Sequence, residues 1–231
     1  MKQPKFYRDI SYDPSLLPNA FLAEKEKMTT CREDWVEHTG YSIGNPGWGL
    51  LYYMLLSTLD PHEFNVIVET GTNLGSTTIM LAQALIDSGR GGHIHTVEID
   101  PRNHAEAEKR LVQAGVSEVV TCHCGNSVEV LEEIVNGVEK IRMAFLDGSH
   151  LLEIVFREFQ ICYPKLEKTS VVAFDNTYKI TENGEPPRVF EALHEIQRQY
   201  GGNLINLPFV SWYTPGFALW QQVPFDHRCG L

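Results

Sequence analysis

The stretch NVIVETGTNLGSTTIMLA, residues 65–82, decides how the chain is read. Val66, Ile67 and Val68 make a short unbroken apolar run, rich in β-branching and bounded by turn residues, which is the pattern of a parallel strand buried on both faces. A helix is expected next. Ser76 stands where an N-cap belongs, and Ile79, Met80, Leu81 and Leu85 supply an apolar face for packing on a sheet. Between the two, Gly71-Thr72-Asn73-Leu74-Gly75 predicts a tight turn whose glycines let the backbone come close to a ligand. Strand, glycine turn and helix together form the nucleotide-binding end of a doubly wound α/β sheet. An ordinary tight turn also produces Gly-x-x-x-Gly. Two acids sharpen the reading: Glu69, just before the turn, and Glu98, at the end of the strand HIHTVEID.

Working outward, the same alternation continues. Residues 93–98 read as a second strand, followed by Asp100-Pro101 as an N-cap with a helix-starting proline and a helix that Gly115 stops. Residues 118–123 read as a third strand. Ser127 is then expected to cap a helix on Leu131, Ile134 and Val135, ended by Gly137. IRMAFLD is a fourth strand and VVAFD a fifth, separated by Gly148-Ser149-His150 and a helix on Leu152, Val155, Phe156 and Phe159, with His150 placed in that helix's first turn. A helix over 188–200 and strands near 204–213 and 216–222 complete the pattern. The fold class that follows is α/β: a Rossmann-like, doubly wound, mostly parallel seven-stranded sheet with helices on both faces. Before it, residues 1–45 mix charges, aromatics and prolines without a sustained period, and GNPGWGLLYYMLLSTLD predicts a buried helix over 48–59. The expected division is an arm, 1–45, and one domain, 46–231. The arm is read as a helical lid over a pocket, or as packing on the domain or on a second copy of the chain in a homo-oligomer.

Composition narrows the partners. The chain has 231 residues, 43% of them hydrophobic, enough for a sizeable single core, and a formal charge of −11, which disfavours nucleic acid and anionic membranes. Lys2, Lys5, Arg8 and Asp9 leave no apolar leader region near the start, and no apolar run approaches the length of a membrane span, so a cytoplasmic protein is expected. Five cysteines without Cys-x-x-Cys point to reduced thiols. Cys122-His123-Cys124 invites a metal reading, but strand alternation turns His123 away from both thiols, and buried structural cysteines are expected there instead.

Ligands of an open parallel sheet bind beyond the carboxyl ends of its strands. Those ends here carry Glu69 with the glycine turn, Glu98, Gly125-Asn126-Ser127, Asp147-Gly148-Ser149-His150 and Asp175-Asn176. Glu98 falls 27 residues after Gly71, near the place of an acid that binds ribose hydroxyls, although an anion at a helix start is its simpler role. The Gly-x-Gly-x-x-Gly of dinucleotide binders is missing, and a carboxylate at position 69 suits a cofactor with an ammonium or a sulfonium better than a pyrophosphate. S-adenosylmethionine carries both. Asp147, Asp175 and Asn176 offer hard oxygen donors at two adjacent strand ends, a set that suits Mg²⁺ and leaves positions open for substrate, though such residues also simply cap turns. His150, beside them, becomes a candidate general base.

ETGTNLGST, VEIDP, GNS, LDGSH and FDN, in that order, resemble the class I S-adenosylmethionine methyltransferases, specifically the metal-dependent O-methyltransferases related to catechol O-methyltransferase and to bacterial sugar O-methyltransferases. The resemblance covers about residues 47–222. It implies that Glu69, Gly71, Thr72, Asn73, Gly75 and Thr77 surround the methionine portion of the cofactor, Glu98 the ribose, and Ile99, Asn126 and Ser127 the adenosine. It also implies that Asp147, Asp175 and Asn176 bind the metal, with Asp147 at the reacting centre and also against the cofactor, and that His150 is the catalytic base. Histidine there, where the catechol enzymes have lysine, favours a sugar-like acceptor with neighbouring oxygens, while Asp-Asn is also the catechol pattern. Trp48, Tyr178, Trp212 and Tyr213 are candidates for an aromatic wall around the acceptor, or for plain core. Two other functions share such a sheet: an NAD-dependent oxidoreductase, and a noncatalytic cofactor-binding interaction protein.

Overall fold

A computed structural model describes residues 13–177, 188–207 and 216–222. Among the described residues, three α-helices precede the first strand: α1 (Ala20–Met28), α2 (Arg32–Thr39) and α3 (Gly44–Thr58). There follow β1 (Asn65–Thr70), α4 (Ser76–Ser88), β2 (Gly92–Glu98), α5 (Pro101–Gln113), β3 (Val120–Cys124), α6 (Ser127–Gly137), β4 (Ile141–Leu146), α7 (Leu152–Cys162), β5 (Leu166–Asp175), α8 (Val189–Tyr200), β6 (Asn203–Leu207) and β7 (Phe217–Gln221). The seven strands form one sheet in the order β3-β2-β1-β4-β5-β7-β6. It is parallel from β3 through β5, and β7 runs antiparallel to both of its neighbours.

The hydrophobic pattern explains the layers. All six residues of β1 are buried, because helices cover both faces of a central parallel strand. Ile67, Met143, Phe145 and Ala173 share one cluster with residues of α1, α3, α4 and α5. Val66, Val68, Ala144, Leu146, Val172 and Phe174 share the other with α6, α7 and α8. In the second cluster Phe159 meets Trp220 edge-on at 4.9 Å between ring centres, and the indole N–H donates to the Gly201 carbonyl at 2.8 Å, so neither the ring nor its polar atom is wasted.

Local chemistry sets the helix starts, and two of the N-caps differ from the sequence reading. Gly75, in the left-handed region at φ +80°, is the N-cap of α4, and Ser76 is its first residue. Asn126, not Ser127, caps α6, its side chain accepting from Val128 N and Glu129 N; an amide oxygen one residue earlier reaches the open N–H groups that the serine, already helical, cannot. Asp100 and Pro101 begin α5 as expected, with Asp100 Oδ1 accepting from Arg102 N at 2.8 Å. α3 starts at Gly44, four residues before the expected 48, and β5 starts at Leu166, five residues before VVAFD. β6 ends at Leu207, and positions 208–213 of the expected strand lie outside the described residues.

The described part of the arm is helical and packs on the domain. Leu17, Leu22, Ala23 and Ile43 are buried in the same cluster as Ile79 and Leu85 of α4. Asn19 donates to Gln83 Oε1 at 2.8 Å and to the Ala114 carbonyl at 3.2 Å, and Arg110 Nη1 donates to the His38 carbonyl at 2.7 Å. Among the described residues, no helix is long and apolar enough to cross a membrane.

Candidate functional site

The glycine turn is shaped by its neighbours. Thr70 pairs with Leu146, so the chain leaving β1 runs beside the chain leaving β4. A Cβ on Gly71 would lie 2.3 Å from the Asp147 carbonyl oxygen, and φ there is +84°; both facts require glycine. Gly71 N and Thr72 N donate to the Val97 carbonyl at 2.9 and 3.2 Å, and Gly75 N closes the turn on the Thr72 carbonyl at 2.8 Å. Asn73, at φ +48°, donates its backbone N–H to Glu98 Oε2 at 2.6 Å, while Glu98 Oε1 accepts from Asp100 N at 2.9 Å. Glu98 therefore ties the glycine turn to the start of α5, which combines the helix-start role with a position beside the turn.

Glu69 lies under the turn, fully buried. Its Oε2 accepts from the Thr78 and Thr96 hydroxyls, the latter at 2.7 Å, and Thr96 Oγ1 is 2.5 Å from Thr72 Oγ1. Its Oε1 is buried with no hydrogen-bond partner among the described residues. Burial pushes the carboxyl up to about 7, against the two hydroxyls, which favour the charged form. Thr77 is held from the arm: its hydroxyl is 2.8 Å from Ser42 Oγ, which also accepts from Trp48 Nε1 at 2.6 Å. Trp48 is fully buried in the core and forms no wall around an acceptor. A Cβ on Gly40, at the end of α2, would lie 2.5 Å from Asn73 Oδ1, so the arm touches the glycine turn directly. Ile99 is exposed, and Asn126 with Ser127 begins α6.

The second half of the site follows from register. Leu146 pairs with Phe174, which sets Asp147 and Asp175, the next residues, at adjacent strand ends. Asp175 is buried and Asn176 sits in the left-handed region at φ +56°, a conformation that asparagine tolerates better than most side chains. His150 Nε2 is 3.9 Å from Asp147 Oδ1. His150 precedes α7, whose N-cap is Leu151, and does not form part of its first turn; its carbonyl instead accepts from Arg188 N at 2.7 Å. Among the described residues, no group of three or more His, Cys, Asp or Glu is placed to hold a metal. The expected set contains two carboxylates and one amide oxygen, which such a grouping does not cover. Tyr178, Trp212 and Tyr213, and positions 178–187 of the loop before α8, lie outside the described residues.

Away from this edge, His123 is 3.1 Å from His95 through their ring nitrogens, and Cys122 packs toward the other face, as alternation requires. Burial pushes the Cys122 thiol up to about 12. Cys124 is exposed, contrary to the burial expected, because it ends β3 at the edge of the sheet.

Several residues that build the site were not read from the sequence. Thr96 lies opposite Glu69 in the β1–β2 register, and alternation back from Glu98 would have found it. Ser42 and Gly40 gave no such signal, since their role depends on where the arm packs. Glu158 of α7 is fully buried under the β4 end of the site, where the Thr70 hydroxyl donates to it at 3.2 Å.

Residues 68–177 match a methyltransferase domain family. A catechol O-methyltransferase of Niastella koreensis is 35% identical over 83 residues, 36% of this chain and 36% of that protein. A transmembrane O-methyltransferase of Propithecus coquereli is 34% identical over 126 residues, 54% of this chain and 43% of that protein. The chain thus spans less than half the length of the curated relatives it matches. Among solved structures, the O-methyltransferase TomG of Streptomyces achromogenes, in complex with SAM, superposes with a TM-score of 0.74 at 20% identity, covering 97% of this chain and all of that one. An O-methyltransferase from Bacillus cereus in complex with SAH gives 0.70 at 18% identity, covering 92% and 93%. At such identities the likeness shows a shared fold.

Proposed function

We propose, on the premise that residues 68–177 are a class I methyltransferase domain, that this chain is an O-methyltransferase that uses S-adenosylmethionine and a divalent ion such as Mg²⁺. The acceptor is a hydroxyl of a small molecule with neighbouring oxygens, sugar-like rather than catechol. One observation carries the reading: the glycine turn after β1 is packed directly against Asp147, so the donor-side and acceptor-side groups share one edge of the sheet.

The residues fit the two absent groups. The methionine portion of the cofactor would lie at the bend Gly71–Gly75, with Thr72, Asn73 and Thr77 around it and, behind it, the buried Glu69 Oε1, which has no partner among the described residues and suits a cationic group. Glu98 suits the ribose, and exposed Ile99 together with Asn126 and Ser127 suits the adenosine. Asp147, Asp175 and Asn176 would hold the ion, through oxygen atoms alone. When bound, the cofactor supplies the methyl group and the ion a positive charge that acidifies the acceptor hydroxyl.

The chain's own part is to position and to move one proton. His150 Nε2 takes the proton of the acceptor hydroxyl. A sugar hydroxyl is a far weaker acid than a phenol, so base and ion are both needed. The packed arm, fixed to the turn through Gly40 and Ser42, keeps water from one side of the cofactor bend. A cytoplasmic setting, and pairing of two copies through the arm, belong to this proposal.

The test is methyl transfer from labelled S-adenosylmethionine to panels of sugars and catechols, with and without Mg²⁺. Transfer to a sugar-type hydroxyl, lost on chelation, is expected. Transfer only to catechols would overturn the acceptor class. Binding of NAD with no binding of S-adenosylmethionine would make the chain an oxidoreductase, and cofactor binding without turnover on any acceptor would make it a noncatalytic binder.

A further inference from the structure

Asp147, Gly148, Ser149 and His150 form a turn that has to aim two functional side chains, and its first two backbone N–H groups bond to β1. Asp147 N donates to the Thr70 carbonyl at 3.1 Å, and Gly148 N donates to the Thr70 side-chain hydroxyl at 3.2 Å. The start of the turn is thus held by one residue, Thr70, the last of β1, while its far end is held where the His150 carbonyl accepts from Arg188 N at 2.7 Å. A hydroxyl has a single proton. Because Thr70 Oγ1 accepts from Gly148, its own proton points elsewhere, and it is donated to Glu158 Oε2 at 3.2 Å. Glu158 is fully buried on α7 among Val155, Phe159, Ile161 and Cys162, with the Ser127 side chain as a second polar neighbour besides Thr70. A carboxyl in such a place is costly, and apolar side chains would serve the core better.

We infer that Glu158 is a positioning residue: by fixing the Thr70 hydroxyl as an acceptor toward Gly148, it sets the backbone of the turn that carries Asp147 and His150. This rests on the proposed roles of those two residues, but the relay itself is a property of the fold. A carboxyl is the group that accepts from Thr70 whatever its own charge, and burial pushes Glu158 up to about 7 without removing that capacity. Gly148 is also confined sterically, since a Cβ on it would lie 3.0 Å from Thr70 Cβ, so the turn and the threonine are matched in shape as well as in hydrogen bonding.

Four variants test this: Glu158→Gln, Glu158→Leu, Thr70→Val and the Leu/Val double. Gln keeps an oxygen acceptor; Leu and Val remove one end or both ends of the relay at similar volume. The first readout is amide hydrogen exchange of the peptide spanning the turn, on the full chain without ligands. Glu158→Leu and Thr70→Val are each expected to speed exchange at Gly148 roughly tenfold, the worth of one hydrogen bond. Glu158→Gln should stay near wild type, and the double variant should be no faster than Thr70→Val alone, because both act through one hydroxyl. The second readout is kinetic: kcat for methyl transfer should fall in the same order while cofactor affinity is kept. Multiplying effects in the double variant, or an unchanged Gly148 amide in Thr70→Val, would overturn the relay. Unchanged kcat in a variant with a loosened turn would overturn the positioning role. If no acceptor is methylated but exchange follows the stated pattern, it is the proposed function that fails, and the relay stands.

Discussion

Replacing Glu69 by Gln should change how the stability of the chain responds to pH. The carboxyl is fully buried and raised from an ordinary 4.5 to about 7. Below about pH 4.5 it is protonated in both the folded and the unfolded chain and contributes nothing to the pH dependence. Between 4.5 and 7 the unfolded chain releases its proton while the folded chain keeps it, so stability falls as the pH rises, and above 7 the loss is constant. From the size of the shift, the loss is about 3 kcal/mol. For a chain of this length, about 2–4 °C of melting temperature accompanies each kcal/mol, so Glu69 accounts for a decrease of about 6–12 °C between pH 4.5 and 8. Glutamine keeps an oxygen for Thr78 and Thr96 but cannot ionise. It also places an amide N–H₂ where Oε1 has no partner among the described residues, a cost of about 1–3 kcal/mol that is the same at every pH. Calorimetric melting of both proteins across that range, without ligand, separates the two effects. The variant should melt lower in acid, and its melting temperature should fall by about 6 °C or more less than that of the wild type. An equal fall in the two proteins would refute the argument that a buried, protonated Glu69 lies beneath the turn.

Two further substitutions probe the site. His150→Ala should lower the rate of methyl transfer by roughly 10² or more at neutral pH, and a variant as fast as wild type would exclude the base role. Gly71→Ala places a Cβ 2.3 Å from the Asp147 carbonyl oxygen at φ +84°, so β1 and β4 must separate at their ends. A loss of several kcal/mol in denaturant titration, with weaker S-adenosylmethionine binding, is expected; wild-type stability would show that the two strand ends are not in contact.

Much of the sheet could be read in advance because its signals are local. Val66–Val68, Asp100-Pro101 and Gly115 each act through the backbone within a few residues of themselves, and the structure places the expected elements around them. Helix starts were harder, since Ser76 and Ser127 are reasonable caps until the residue before each, Gly75 in the left-handed region and Asn126 with a reaching amide, is seen to do the work. The strand-end acids were legible because a parallel sheet brings its carboxyl ends to one edge. What surrounds them was not. Ser42 reaches Thr77 across 35 positions, Arg110 holds the His38 carbonyl across 72, and Glu158 reaches Thr70 across 88. Such contacts depend on how helices dock, and no periodicity records that. Trp48 illustrates the same limit: an aromatic next to a glycine-rich segment fits a pocket wall or a core equally well until its neighbours are known, and here it is core.

The central claim is that oxygen atoms of Asp147, Asp175 and Asn176 hold a divalent ion next to the cofactor bend. Paramagnetic resonance with Mn²⁺ as the probe, in the presence of S-adenosylmethionine, measures this without knowledge of the acceptor. Wild-type chain should quench the free-ion signal at one Mn²⁺ per chain, and Asp175→Ala should leave the signal free while still binding S-adenosylmethionine. Failure of the wild type to bind the ion, or equal binding by the variant, would contradict the account.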